Sequence, residues 1–210
     1  MSLLNSRSGR RAGLLAALGT AAVLLASPPP ARAHLVQTGF GGFYDGLTHL
    51  MITPSDLLLV LGLALLAAQN GTAAGRSLLL ALPLGWLAGG WIGMQLPGEP
   101  TLPVVTTLSF TLVGLLVALQ ARLGARVLVG LALLCGGLHG VVNGATMNHG
   151  GGQQLALIGA VSGVFVLTAF ISGQFVGMRQ HWIGIALRVA GSWMAAAGLL
   201  MLGWLVRGSL

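Results

Sequence analysis

Along this chain, long apolar runs are separated by short polar or glycine-rich punctuation, with no charged face repeating through them. The runs are Gly13 to Ala26, Leu57 to Ala68, Ser77 to Leu96, Thr101 to Gln120, Arg126 to Met147, Leu155 to Gly177 and Trp182 to Val206. A helix that is apolar all round belongs in a membrane or a large buried core. The last five runs are each near the ~20 residues that cross a ~30 Å hydrocarbon layer, and their short links predict antiparallel neighbours. Leu57 to Ala68, at about 12 residues, is too short to cross alone. That span must borrow from residues before Pro54, which predicts a first helix broken or kinked there. The expected fold is all-α: a polytopic membrane bundle of six transmembrane helices.

Thr53-Pro54-Ser55-Asp56 reads as a helix start, with Thr53 as N-cap, Pro54 at the first helical position and Asp56 closing a capping box. One apolar run carries a polar stripe of its own. At 100° per residue, Cys135, His139, Asn143 and Thr146 fall within roughly 80° of one another, beside a row of Gly136, Gly140 and Gly144. Polar groups are costly in hydrocarbon unless partnered, and a glycine row admits a close neighbour, so this stripe should face the bundle core. Gly85, Gly89 and Gly93, and Gly159 and Gly163, predict further close helix contacts.

The first run differs from the others. A basic start with Arg7, Arg10 and Arg11 precedes the roughly 14 apolar residues, and Ser27-Pro28-Pro29-Pro30 leads to Ala31-Arg32-Ala33. This is the pattern of a secretory signal peptide cleaved after Ala33, which leaves residues 34–210 as a single six-helix transmembrane domain; an uncleaved anchor helix is the alternative. Beyond it, Arg76, Arg122, Arg126 and Arg179 lie in alternate connections. The connections around Glu99 and His149 have no arginine. By the positive-inside rule the mature N-terminus is periplasmic, in a bacterial inner membrane.

Composition narrows the function. Of 210 residues, 55% are hydrophobic and 6% charged, which removes the chain from the soluble class. The net charge of +7 comes from ten arginines against three acidic residues, and four of the arginines precede residue 34, so nothing supports nucleic-acid binding. The single Cys135 excludes an intrachain disulfide and a CxxC pair, and its ordinary role is that of a small buried apolar residue. No Walker motif, HExxH, CxxCH or nucleophile elbow is present, which argues against an enzyme and against a bound cofactor.

The donor-bearing residues gather toward one side. With the N-terminus outside, His34, Asp45, His49 and His149 lie at the outer face. Asp45 and His49 share a helical face at i and i+4, Asp56 lies at or below that face, and His139 lies about two turns deeper into its helix. Asn143 follows His139 at i+4. Met51, Met94 and Met147 sit near outer helix ends, where thioethers are either metal donors or ordinary filler. Imidazole and carboxylate donors suit divalent transition metals.

Two motifs resemble those of the HupE/UreJ family of small nickel permeases, and the layout resembles it along the whole chain. The family's first motif sets a His several residues before an Asp-His pair; His49 and Asp56 match it, with Leu57 in place of the second His. The second, H-G-x-A-H-G-x-E, resembles His139-Gly140-Val141-Val142-Asn143-Gly144-Ala145-Thr146, with Asn143 for the second His and Thr146 for the Glu. Gly42 to Leu50 and Thr53 to Leu65 resemble a divergent branch. The resemblance implies transport of nickel or cobalt, with copper kept open by the methionines. His34 and His149 would capture the ion, Asp45, His49 and Asp56 would form its path inward, and His139 with Asn143 would form half of an intramembrane site, completed across helices by Asp56, Asp45 or His49 of the broken first helix, which supplies the charge. The competing expectation is a non-transporting subunit or accessory protein packed against a partner complex or a second copy of itself. A haem b cytochrome would need two deep histidines, and only His139 is deep.

Overall fold

The computed structural model describes residues 38–98, 100, 102–147, 152–178 and 180–208, all within the unit His34–Leu210. The expected signal peptide, His34 and His149 lie outside the described residues. Those residues form seven α-helices: α1 Gly42–Ile52, α2 Pro54–Gln69, α3 Thr72–Gly93, α4 Pro103–Ala118, α5 Ala125–Thr146, α6 Gln153–Phe175 and α7 His181–Gly208. By length and composition α5, α6 and α7 can each cross a membrane. Helices α1 and α2 pass the same test as a pair, bent by 78° at the break between them.

The break falls where the sequence puts it. Thr53 leaves the helix with extended dihedrals and Pro54 takes the first helical position, since proline cannot continue α1's hydrogen-bond ladder. The expected capping box does not form, because no side chain caps α2. The Thr53 hydroxyl instead donates back to the His49 carbonyl at 2.7 Å, closing the end of α1. Helix α4 is shorter than its apolar run. Its last turn ends with Gln120 in the left-handed region at φ 51°, and the Ala121 N–H reaches back to the Leu116 carbonyl at 2.9 Å.

Glycine contacts give the helix directions. A Cβ on Gly85 would press on Leu133 and Gly137, one on Gly89 on Gly137, and one on Gly93 on Val141; reciprocally, Gly136, Gly140 and Gly144 lie against Leu82, Trp86 and Gly90. Residue numbers rise together, so α3 and α5 run parallel in backbone contact along both expected glycine rows. Gly42 against Gly152, Gly46 against Ala156 and Gly163 against Leu50 likewise rise together and place α1 parallel to the first half of α6. Gly114 and Gly191 bring α4 and α7 together in the opposite sense, Gly191 meeting Ala118 and Gly198 meeting Thr111. Sequence neighbours are thus antiparallel, but the tightest pair is not a pair of neighbours.

The alternation sorts the helix ends. Arg76 of α3, Arg122 after α4, Arg126 of α5 and Arg188 of α7 belong to one end of the bundle, called here the arginine end. Leu59, Leu63, Trp86, Phe110, Val113 and Val164 fill the middle, and Leu65, Leu66, Val117, Leu128, Ile183 and Leu187 form a second cluster toward the arginine end. Outward, Leu134, Phe170, Trp193 and Leu200 are largely exposed, an apolar surface for lipid rather than water.

Candidate functional site

The polar stripe on α5 faces inward throughout: Cys135, His139, Asn143 and Thr146 are all buried, with His139 at 0% exposure. The 78° bend brings the first turn of α2 against this stripe. Asp56, at 2% exposure, is the carboxylate that meets it. Its Oδ1 lies 2.6 Å from His139 Nδ1, and its Oδ2 accepts from Asn143 Nδ2 at 2.7 Å. The Asn143 amide also donates to the His139 carbonyl one turn back at 3.0 Å, which fixes its rotamer. Thr146 closes onto the Asn143 carbonyl at 2.8 Å.

A third helix completes the arrangement. Ser109 of α4, half-buried, places its Oγ 2.7 Å from His139 Nε2 and donates to the Thr106 carbonyl at 2.7 Å. Both imidazole nitrogens are therefore engaged, one by a carboxylate and one by a hydroxyl. The Ser109 hydroxyl has one proton for two acceptors, the Thr106 carbonyl and His139 Nε2, so the direction of the Ser109–His139 bond follows the imidazole tautomer. The Trp86 ring of α3 lies 5.8 Å from the His139 ring, centre to centre, and walls off the site.

Backbone electrostatics favour charge here. Asp56 occupies the third helical position of α2, where the N-terminal end of the helix dipole stabilises a carboxylate. Helix α1 ends at Ile52, one residue short of α2, and its His49 carbonyl accepts from both the N–H and the hydroxyl of Thr53. Broken helices are an arrangement that transporters use to hold ions. Two polar atoms at the site are unmatched: Asn143 Oδ1 and Trp86 Nε1 are buried without hydrogen-bond partners. Buried polar groups are ordinarily satisfied, so an orphaned amide oxygen beside a carboxylate and an imidazole is a free acceptor available to a cation.

The structure thus brings Asp56, His139 and Asn143 into direct contact, with His49 buried at 3% exposure and within electrostatic reach of Asp56. Asp45 stands apart. It lies in the first turn of α1, and its Oδ1 accepts from both the N–H and the hydroxyl of Thr38 at 2.6 Å; among the described residues no hydrogen bond joins it to the cluster. Nor do three His, Cys, Asp or Glu side chains gather in ligating geometry among the described residues. Met147 is buried in the apolar core and Met94 packs against it, a filler's position.

Sequence reasoning missed Ser109 and Trp86. The available signal was the hydroxyl run on α4, where Thr106, Thr107, Ser109 and Thr111 interrupt an apolar helix and three of the four are buried. It also read Asp56 as the closing member of a capping box, whereas that carboxylate turns into the bundle.

A family model described as HupE / UreJ protein matches residues 21–201 of the chain. No curated protein and no solved structure matches it.

Proposed function

The chain belongs to the HupE/UreJ family, and from that premise we propose that it is a membrane permease for a divalent transition-metal ion, nickel or cobalt in preference to copper. The observation that carries the reading is the buried contact of Asp56 with His139 and Asn143 across the broken α1–α2 span. Five spans, α3 to α7, and the bent α1–α2 pair make six crossings. Under the positive-inside rule the arginine end is cytoplasmic and the mature N-terminus, after removal of residues 1–33, is periplasmic in a bacterial inner membrane.

The cargo ion would take one oxygen of Asp56, one nitrogen of His139 and the open Oδ1 of Asn143, with His49 above it on α1. His34 and His149 serve as outer capture ligands, and Asp45 stands on the approach. Carboxylate, imidazole and amide donors favour nickel, cobalt or zinc over the soft cuprous ion, for which thioethers would be needed. In the conformation described, the donors are bonded to one another and buried, with the Trp86 ring against His139, so on this reading it is a closed state. Movement of α1 about Thr53 and Pro54 would open it.

Metal uptake by cells carrying His139→Ala and Asp56→Ala tests the reading. Uptake should fall to the level of cells without the protein, and unchanged uptake in both variants would remove the proposed site. A second reading rests on one observation: Asp56 and His139 already satisfy each other, without three strong ligands. A static core of that kind suits an accessory subunit packed against a partner complex. Solubilised under mild detergent, a permease purifies alone or with copies of itself, whereas an accessory subunit brings a stoichiometric partner.

A further inference from the structure

Away from Asp56, the arginine end contains a second polar site. The ends of α2, α4, α6 and α7 surround a cavity of about 240 Å³ whose polar lining includes Gln69, Gln120, Arg122, Gln180 and His181. No carboxylate contributes to this lining. Of the chain's three acidic residues, Asp45 lies at the opposite end of the bundle, Asp56 is committed to His139, and Glu99 precedes α4 whereas Arg122 follows it. Arg76, Arg126 and Arg188 share this end. The charge at this end therefore calls for an anion from outside the chain.

The donors are arranged for one. Arg122 Nη1 donates to the Gln69 carbonyl, which anchors the guanidinium at the rim while leaving its other N–H groups to project. The N-terminal end of α7, a 28-residue helix, opens at His181 on the same cavity and adds a favourable dipole. Gln120 is the third element. It is the one non-glycine residue at positive φ among those described, at the position that closes a helix and is usually glycine. A side chain there carries a strain of roughly 1 kcal/mol. Its amide lines the cavity and is held only by a weak 3.4 Å contact to the Gly184 carbonyl, so it is free to turn toward a ligand.

We infer that this cavity binds a phosphate group through Arg122, Gln120 and the start of α7. A phospholipid headgroup and free inorganic phosphate share that chemistry. The lining also includes Phe175 and Leu187, which offer an apolar wall to the root of an acyl chain, and basic pockets between helices at a membrane face recognise anionic lipid headgroups. The site is independent of the metal reading.

The test uses the full chain purified in detergent, with phosphatidylglycerol, phosphatidylcholine and inorganic phosphate as separate probes. Native mass spectrometry and thermal unfolding are the readouts. Phosphatidylglycerol should stay bound and raise Tm, with phosphatidylcholine doing neither; protection by inorganic phosphate to the same extent would assign the pocket to the free anion instead. Arg122→Gln should weaken binding at least tenfold, the loss expected for a charge-assisted hydrogen bond. Gln120→Gly removes the strain, so it should raise Tm without ligand while weakening binding about fivefold, as for one neutral hydrogen bond. That opposite movement keeps the test decisive where Arg122→Gln fails to fold. No binding of either probe, or equal binding by wild type and Gln120→Gly, would overturn the inference.

Discussion

Replacing Asp56 separates the structural role of the cluster from its role in holding an ion. In Asp56→Leu, two buried donors lose their acceptor together: the Asn143 amide, bonded at 2.7 Å, and the His139 ring nitrogen, at 2.6 Å. An unsatisfied buried donor costs about 1–3 kcal/mol, so this variant should lose roughly 2–6 kcal/mol of stability and unfold at markedly lower temperature. Asp56→Asn is different because the network can be rewired without an orphan. The new amide oxygen accepts from Asn143, and the new NH₂ donates to His139 Nδ1. In that tautomer His139 carries its proton on Nε2 and donates it to Ser109, while the Ser109 hydroxyl donates to the Thr106 carbonyl. Every hydrogen bond survives and the charge disappears. The expected outcome is a variant within about 1 kcal/mol of wild type in stability, since each lost charge assistance is offset by removal of a buried charge, yet without metal uptake. The assays are thermal unfolding in detergent and radioactive nickel uptake in the same cells. Wild-type uptake by Asp56→Asn would refute the carboxylate as an ion ligand. Its unfolding alongside Asp56→Leu would refute the hydrogen-bond reasoning.

Other outcomes follow from packing. Gly89→Leu should prevent α3 and α5 from meeting, because even a Cβ there overlaps the backbone of Gly137, whereas Gly173→Ala, with nothing within 4 Å, should be neutral or raise stability by about 0.5–1 kcal/mol; paired Tm measurements check both. Trp86→Phe removes a buried N–H without a partner while keeping most of the ring, so its stability should stay within about 1 kcal/mol of wild type, in contrast to Trp86→Ala, which should lose about 3–5 kcal/mol. Cys135, at 5% exposure, should resist maleimide in the folded protein and react after denaturation, as mass spectrometry would show.

The parts of this fold that were legible in the sequence are those set by local periodicity and local sterics. Residues Cys135, His139, Asn143 and Thr146 share one stripe by the geometry of any α-helix, and a stripe that polar had to face inward. The break at Pro54 was legible because an apolar run of about 12 residues is short for a bilayer crossing and proline cannot extend a helix across Thr53. The glycine rows at Gly85 to Gly93 and Gly136 to Gly144 were legible as close contacts, but nothing local said that they contact each other. That pairing depends on how short links let α4 swing away toward α7. Asp56 shows the same limit. Three residues after a threonine it fits a capping box, and only the presence of His139 and Asn143 across the bend decides that its carboxylate turns inward. Ser109 was marked only by the hydroxyl run of α4, a weak signal because a hydroxyl within an apolar helix usually bonds its own backbone, as this one can with Thr106. Gln120 gave no sign of ending α4, since left-handed closure usually announces itself with glycine.

The central claim is that one carboxylate from the broken span and one imidazole from α5 hold the same ion. X-ray absorption of nickel bound to the purified protein measures this directly. The spectrum should show nitrogen and oxygen ligands with imidazole outer-shell scattering, that scattering should vanish in His139→Ala, and stoichiometric binding should be lost in Asp56→Asn. A nickel spectrum unchanged by either substitution, or dominated by sulfur ligands, would contradict it.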